Sequence, residues 1–475
     1  MAMRRIAGRR RQGAVLVLIA VGAATLIGMA GLAIDVGLAY RQHAAMQMAC
    51  DAAALAGVVQ LPASQTGGTD NMLAEAKRFA GLNGFTDGQN GCTVTGSIPT
   101  GSPNDYRVII TSNFAPLFTA LVGAKRFTMS TAATARNFSR LPVSITGGGN
   151  PGQSNSITTL SVFGPYAYHS YGDAYSTKYL QNGQPNPSYN PNGFDFQITV
   201  PANYRTLFNT NILNVQVFDP DCGDNPGAAS SGTDELRPNN TAAPAPPAGF
   251  VQNTTTQYSV FTVPNGFKDL TTQTQIAQAT YGQDASVSNI WVTPTGFSIN
   301  LDDYPGVTSF RLNVKAINGS SENGFNLRAG PPSLNQSTDW ATTQADFSTA
   351  AKRSALDMIQ ASGLLPLNFD GSGTANIGLG TLPAANGTPY RVHIMKFDTD
   401  VGATGVNYTD TLGNTYPGTL AGNDQFAEDI INIPGTYAGG SLTAHYTAGA
   451  SDTSSWSMTY EGAAAGLPGV VKLIE

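Results

Sequence analysis

The chain has 475 residues, more than one ordinary domain holds and suited to two or three. Charged residues make up only 12% while 41% are hydrophobic, and 53 Gly and 28 Pro punctuate the sequence. That balance excludes wholesale disorder and fits an extracytoplasmic β-rich protein better than a cytosolic enzyme. Net charge is −6, but five of the 25 basic residues (Arg4, Arg5, Arg9, Arg10 and Arg11) fall in the first eleven positions. The remainder is acidic, which argues against nucleic-acid binding.

Gly13 to Ile34 is a run of 22 residues without a charge. As a helix it crosses a hydrocarbon core of about 30 Å. The arginines precede it, so the positive-inside rule predicts a cytoplasmic N-terminus and an extracytoplasmic body after Tyr40. The run exceeds the apolar region of about 7–15 residues in a cleaved signal, and we read residues 13–36 as an uncleaved single-pass anchor. Arg41 to Gln60 continues in good helix formers, with no Gly before Gly57 and no Pro before Pro62. The spacing predicts one long helix with residues 37–62 as a stalk. Ala20, Ala24 and Gly28 recur every fourth position and, with Gly31 and Gly37, offer a close-packing face for another helix. Asp35 is the sole acid near the span. Either it pairs with a basic group on a partner helix, or it simply marks the interfacial end of the span.

The run from Arg11 to Leu61 resembles the N-terminal segment of the TadE/TadG-like family of tight-adherence (Flp) pilus assembly proteins. The shared features are Arg before Gly13-Ala14-Val15, then Gly31-Leu32-Ala33-Ile34-Asp35-Val36-Gly37 with Tyr40. Gln47 and Asp51-Ala52-Ala53-Ala54-Leu55-Ala56-Gly57 complete the set. The resemblance implies a type IV pilin-like, membrane-anchored protein concerned with assembly or surface attachment rather than catalysis, with other pilin-like subunits as partners. It also implies a small pilin-like head after the stalk. Gly13 is followed by Ala-Val-Leu-Val-Leu with no Glu, so processing by a prepilin peptidase after Gly13 is not expected, as in the TadG-like branch. Many such proteins carry a von Willebrand type A domain, whose metal site starts Asp-x-Ser-x-Ser. Asp370-Gly-Ser-Gly-Thr374 has that look, but the β-rich texture around it reads as a turn in a different domain.

Residues 63–145 read as a compact α+β head. Asn71–Leu82 has helical spacing ended by Asn83-Gly84, strands follow at Cys92 and Tyr106, a short helix at Phe114–Leu121, and a strand at Phe127. Residues 146–156 have linker composition. From 157 to 475, short alternating segments separated by Gly, Pro and Asn predict a β-sandwich of jelly-roll type, either one large or two split near Pro331. Clear examples start at Phe194, Leu213, Tyr258, Ser309, Tyr390, Leu442 and Trp456. Ala351–Ala361 looks helical. The fold class is therefore α+β: anchor helix, pilin-like head, β-sandwich.

Two acidic loops follow strands: Asp219, Asp221 and Asp224, and then Asp398 and Asp400. Closely spaced carboxylates present hard oxygen ligands to calcium, although neither loop matches the EF-hand. The competing reading is turn formation by Asp, which also covers Asp302-Asp303. Tyr166, Tyr168, Tyr171, Tyr175 and Tyr179 gather near His169, and such rings stack on sugars when exposed and fill cores when not. A surface glycan is thus the partner in the alternative reading, an anchored adhesin independent of a pilus. Four histidines without a catalytic motif leave no hydrolase signature. Three cysteines (Cys50, Cys92, Cys222) permit at most one internal disulfide.

Overall fold

The computed structural model describes residues 4–59, 70–99, 105–123, 126–142, 145–146, 158–168, 173–223, 234–264, 273–336, 349–369, 372–398, 402–449, 452–462 and 469–474. Two compact units result, Met1–Asn137 with Val471–Glu475, and Phe138–Val470.

In the first unit, helix α1 (Arg4–Val59) runs unbroken through the apolar segment and the stalk. Residues 17–30 and most of 32–40 are exposed positions, mostly apolar, uncovered by the other described residues. From Met46 onward one face is buried. Helix α2 (Asp70–Leu82) lays Met72, Ala76 and Ala80, a four-residue repeat, against α1. Gly84, at φ +89°, ends it in the left-handed region open to glycine. Strands β1 (Thr93–Ser97), β2 (Asp105–Phe114) and β3 (Phe127–Pro142) form an antiparallel meander, with Thr93 opposite Thr111 and Phe114 opposite Phe127. Ile474, just past the C-terminal strand Gly469–Leu473, donates to the Thr134 carbonyl.

Among the described residues, the strand pairs of the second unit are antiparallel. One sheet orders β14 (Ile359–Ser362), β6 (Phe194–Thr199), β12 (Ser309–Asn318), β8 (Thr255–Thr262) and β9 (Thr274–Tyr281), and the last residues of β3 pair with β14. The second orders β10 (Trp291–Val292), β7 (Ile212–Phe218), β13 (Glu322–Gly330), β5 (Thr158–Phe163), β15 (Leu365–Phe369), β22 (Asp452–Gly462), β17 (Tyr390–Asp398) and β20 (Gln425–Ile433), with β11 (Ser298–Asn300) also paired to β7. The third holds β19 (Thr415–Pro417), β18 (Ala403–Asp410), β21 (Gly440–Ala448), β16 (Gly373–Leu382) and β4 (Ile145–Thr146). Alternation along β21 and β20 marks strands with one wet face, whereas β13 is buried at every position. A single apolar cluster from Leu141 to Tyr460 fills the unit. Phe325 meets Phe196 and Tyr258 edge-on at 6.4 and 5.8 Å, and Tyr446 meets Phe369 and Trp456 at 4.6 and 5.6 Å.

The body is thus α+β, a long apolar helix followed by a sandwich-like set of sheets. All seven named strand starts fall in strands. Two local expectations differ. Ala351–Ala361 is helical only up to Ser354, in a helix that starts at Ala350, after which Ile359–Ser362 is strand, because Met358 and Ile359 are buried beside β6. Phe114 ends a strand, and the helical turn expected there comes later, as a 3₁₀ turn at Thr119–Val122. The two units divide at Asn137/Phe138 within β3, and the linker-like stretch 146–156 lies mostly outside the described residues.

Candidate functional site

At 100° per residue, positions 20, 24, 28, 31, 35, 42, 46, 49, 53 and 57 of α1 fall on one stripe. The structure divides that stripe in two. Ala20, Ala24 and Gly28 are exposed, and a Cβ on Gly28 would have nothing within 4 Å. From Gly31 onward the chain's own head covers it. A Cβ at Gly31 would lie 2.7 Å from Phe118 Cβ, and one at Gly57 would lie 2.3 Å from Tyr106 Cε1. Glycine at these two positions is what lets the aromatic rings reach the helix backbone. A Cβ at Gly37 would have nothing within 4 Å.

Asp35 is buried, only 4% exposed, on this stripe. Its Oδ1 accepts from the backbone N–H of Leu117 at 2.8 Å and Phe118 at 3.2 Å. Its Oδ2 accepts from Phe118 N–H at 3.1 Å, Thr119 N–H at 2.7 Å and the Thr119 hydroxyl at 2.8 Å. The acid caps the amides that open the 3₁₀ turn, amides that otherwise have no partner. Both oxygens of Asp35 are therefore engaged by donors of the chain's own turn.

The covered half is held by close fits. Tyr106 is wedged between Gly57 of α1 and Gly96 of β1, and burial pushes its hydroxyl up to about 12. Gln47 donates to Asp51 Oδ1 at 2.9 Å and to the Ala132 carbonyl at 3.1 Å, and the Cys50 thiol donates to Val108 O at 3.2 Å. Burial raises the Cys50 thiol. All three cysteines are free and buried. Sequence reading missed Leu117, Phe118, Thr119 and Tyr106 as partners of the helix. The one signal for Leu117 and Phe118 was the apolar Phe114-Ala-Pro-Leu-Phe run at the end of β2.

The remaining candidates lie in the second unit. Asp219 sits at φ +52° and its Oδ1 accepts from Asn289 N–H at 2.8 Å; Asp221 Oδ2 accepts from Asp284 N–H at 2.7 Å. Nearby Asp234, which sequence reading did not single out, accepts from Gly223 and Gly324 amides at 2.9 and 3.0 Å. Burial, and then the Asp219 charge, push the Asp234 carboxyl well above the usual range. Asp224, Asp370 and Asp400 lie outside the described residues, as does the side chain of Asp398. Among the described residues no group of three His, Cys, Asp or Glu is placed to hold a metal. Asp302 sits in a 3₁₀ turn capped by Asn300 and pairs with Arg205 at 3.0 Å.

Tyr166, Tyr168 and Tyr175 are half-buried, and Tyr171 and His169 lie outside the described residues. Tyr166 is covered by Phe250 edge-on at 5.9 Å and by Lys178, whose Nζ lies 4.6 Å above its ring; Tyr175 meets Phe426. His393 bridges Glu428 and Glu461 at 2.9 and 3.1 Å, and His445 bridges Thr409 and Asn376. A buried trio, also unforeseen, joins Lys396 on β17 to Asp429 on β20 and Tyr408 on β18.

Residues 13–60 match the family described as "Putative Flp pilus-assembly TadE/G-like". No curated protein matches the chain. Among solved structures, infectious bursal disease virus Gx strain is 11% identical over 70% of this chain and 73% of that one, at a TM-score of 0.15. The tandem CBM22 domains of Paenibacillus barcinonensis Xyn10C are 8% identical over 78% and 92%, at 0.13. Hazelnut (Corylus avellana) vicilin is 8% identical over 80% and 85%, at 0.11. Likeness at these TM-scores carries no argument about fold or ligand.

Proposed function

We propose that this chain, whose residues 13–60 match the TadE/G-like pilus-assembly family, is a membrane-anchored component of a Flp-type pilus system. The anchor is the one described helix long and apolar enough to cross a membrane. In this reading its N-terminus is cytoplasmic, following the arginines that precede the span. The body is presented outside the membrane for surface attachment or assembly contacts, and the work is mechanical rather than catalytic.

The observation that carries this reading is the divided stripe of α1. Its outer half is occupied by the chain's own head, while Ala20, Ala24 and Gly28 leave a smooth face inside the bilayer. Helices associate in lipid by close backbone approach over small residues, since lipid tails give no hydrophobic driving force between them. A pilin-like neighbour is the partner of that geometry.

The test combines the mature N-terminus with fractionation of gently sheared cells. An intact N-terminus with the chain in the membrane pellet marks an anchored assembly factor. Loss of residues 1–13 and co-sedimentation with filaments marks a processed subunit. Normal piliation and adhesion in cells that lack the chain removes the pilus reading. Gly28→Leu, which fills the bare face while keeping the span apolar, is expected to abolish recovery of the chain with its pilin-like partners and to leave insertion intact.

A further inference from the structure

We propose that the apolar turn between β2 and β3 enters the outer interface of the same bilayer that α1 crosses, as a second membrane contact. This rests on α1 being a membrane anchor. Phe118 packs on Gly31, and Gly31 belongs to the charge-free run that forms the span. With a rise of about 1.5 Å per residue, Gly31 lies about 6 Å deeper than Asp35. Wherever the bilayer seats that run, the Leu117–Phe118 step sits at its edge.

The turn is built for that place. Leu117 is 64% and Phe118 40% exposed, and Ala115 and Ala120 beside them are exposed too. No charged residue occurs between Arg107 and Lys125. A turn entering this region must have its backbone amides satisfied, because water is scarce there. Asp35 does this for residues 117 to 119. An acid at the rim of the span is tolerated far better than one at its centre, and here it has five donor contacts. The surface continues that of the anchor helix, whose residues 32–34 are likewise exposed and apolar, so lipid is the occupant we assign.

The experiment uses the full chain in phosphatidylcholine vesicles, with a nitroxide placed through Leu117→Cys. The native cysteines are buried, which favours labelling at the new site. Oxygen concentrates in lipid and a nickel chelate in water, so their relative collision rates report depth. Leu26→Cys serves as the mid-span reference and Leu412→Cys as the aqueous one. The expected result is an oxygen-to-nickel ratio at position 117 several-fold above that at 412, approaching that at 26. A ratio equal to that at 412 overturns the proposal, as does shielding from both probes with label-to-label broadening, which assigns the turn to a second copy. A water-like ratio at 26 overturns the anchor reading and the proposal with it; a lipid-like 26 with a water-like 117 overturns the proposal alone. Ala120→Cys provides a second position on the turn should a label at 117 disturb its packing.

Discussion

Asp35 and Thr119, 84 positions apart in the chain, are joined twice: Asp35 Oδ2 accepts the Thr119 backbone N–H at 2.7 Å and its hydroxyl at 2.8 Å. The pair fixes the beginning of a 3₁₀ turn to the helix at the point where its apolar run ends. The acid acts as the cap that the turn lacks in its own sequence, since Phe118 in the N-cap position has no side chain able to accept.

Asp35→Asn retains one acceptor and Asp35→Leu retains none. Amide exchange at Leu117, Phe118 and Thr119 is expected to quicken by about tenfold in the first and further in the second, the range lost with a helix cap. Membrane insertion is expected to persist in both, because the apolar run is unchanged. Unchanged exchange in Asp35→Leu contradicts the capping role.

Gly57→Ala is expected to destabilise the first unit by about 1–3 kcal/mol, the cost of forcing extra bulk into a filled core. The new Cβ would sit 2.3 Å from the Tyr106 ring and 3.2 Å from the Met72 carbonyl. Gly37→Ala meets nothing within 4 Å and should be neutral or stabilising by up to about 1 kcal/mol through helix propensity. Thermal unfolding of the detergent-solubilised variants orders the two, and equal midpoints contradict the packing described.

Lys396 and Asp429 have side chains 3% and 6% exposed, with Tyr408 bound to both. Asp429→Ala leaves a buried ammonium without its counter-charge and is expected to cost about 3–5 kcal/mol. Replacing both, as Lys396→Met with Asp429→Leu, should cost much less, because no charge is then left unpaired. Denaturant midpoints of the single and double variants test the ordering.

Asp234 carries the pH dependence we expect from the acidic loop. Burial raises its carboxyl in the folded state above the unfolded value, so the folded chain holds that proton more tightly. Its contribution to stability is fully present below the unfolded value near 3.8 and is lost as pH rises through the raised folded value. Asp234→Asn should flatten this decline in unfolding free energy between acid and neutral pH. Because Asp234 gives both oxygens to backbone amides and Asp221 gives Oδ2 to another, millimolar calcium is expected to leave the melting temperature at pH 7 unchanged. A calcium-dependent rise abolished by Asp221→Asn would support the metal reading of this loop.

Periodicity and charge in the sequence determined the long helix, its apolar run and the short-strand body, because each is a local pattern that needs no distant partner to be read. The small residues at 20, 24, 28 and 31 were likewise legible as one face. Their division was not. Only the tertiary structure decided that Gly31 and Asp35 belong to the head while Gly28 stays bare, since that depends on Phe118 and Thr119 arriving from more than 80 positions away. The Lys396–Asp429–Tyr408 trio and the Asp219–Asp234 neighbourhood were hidden for the same reason: burial and cross-strand register, which no stretch of sequence displays, set their partners. Ile359–Ser362 shows the converse, a helical local preference overruled when Met358 and Ile359 found a core to fill.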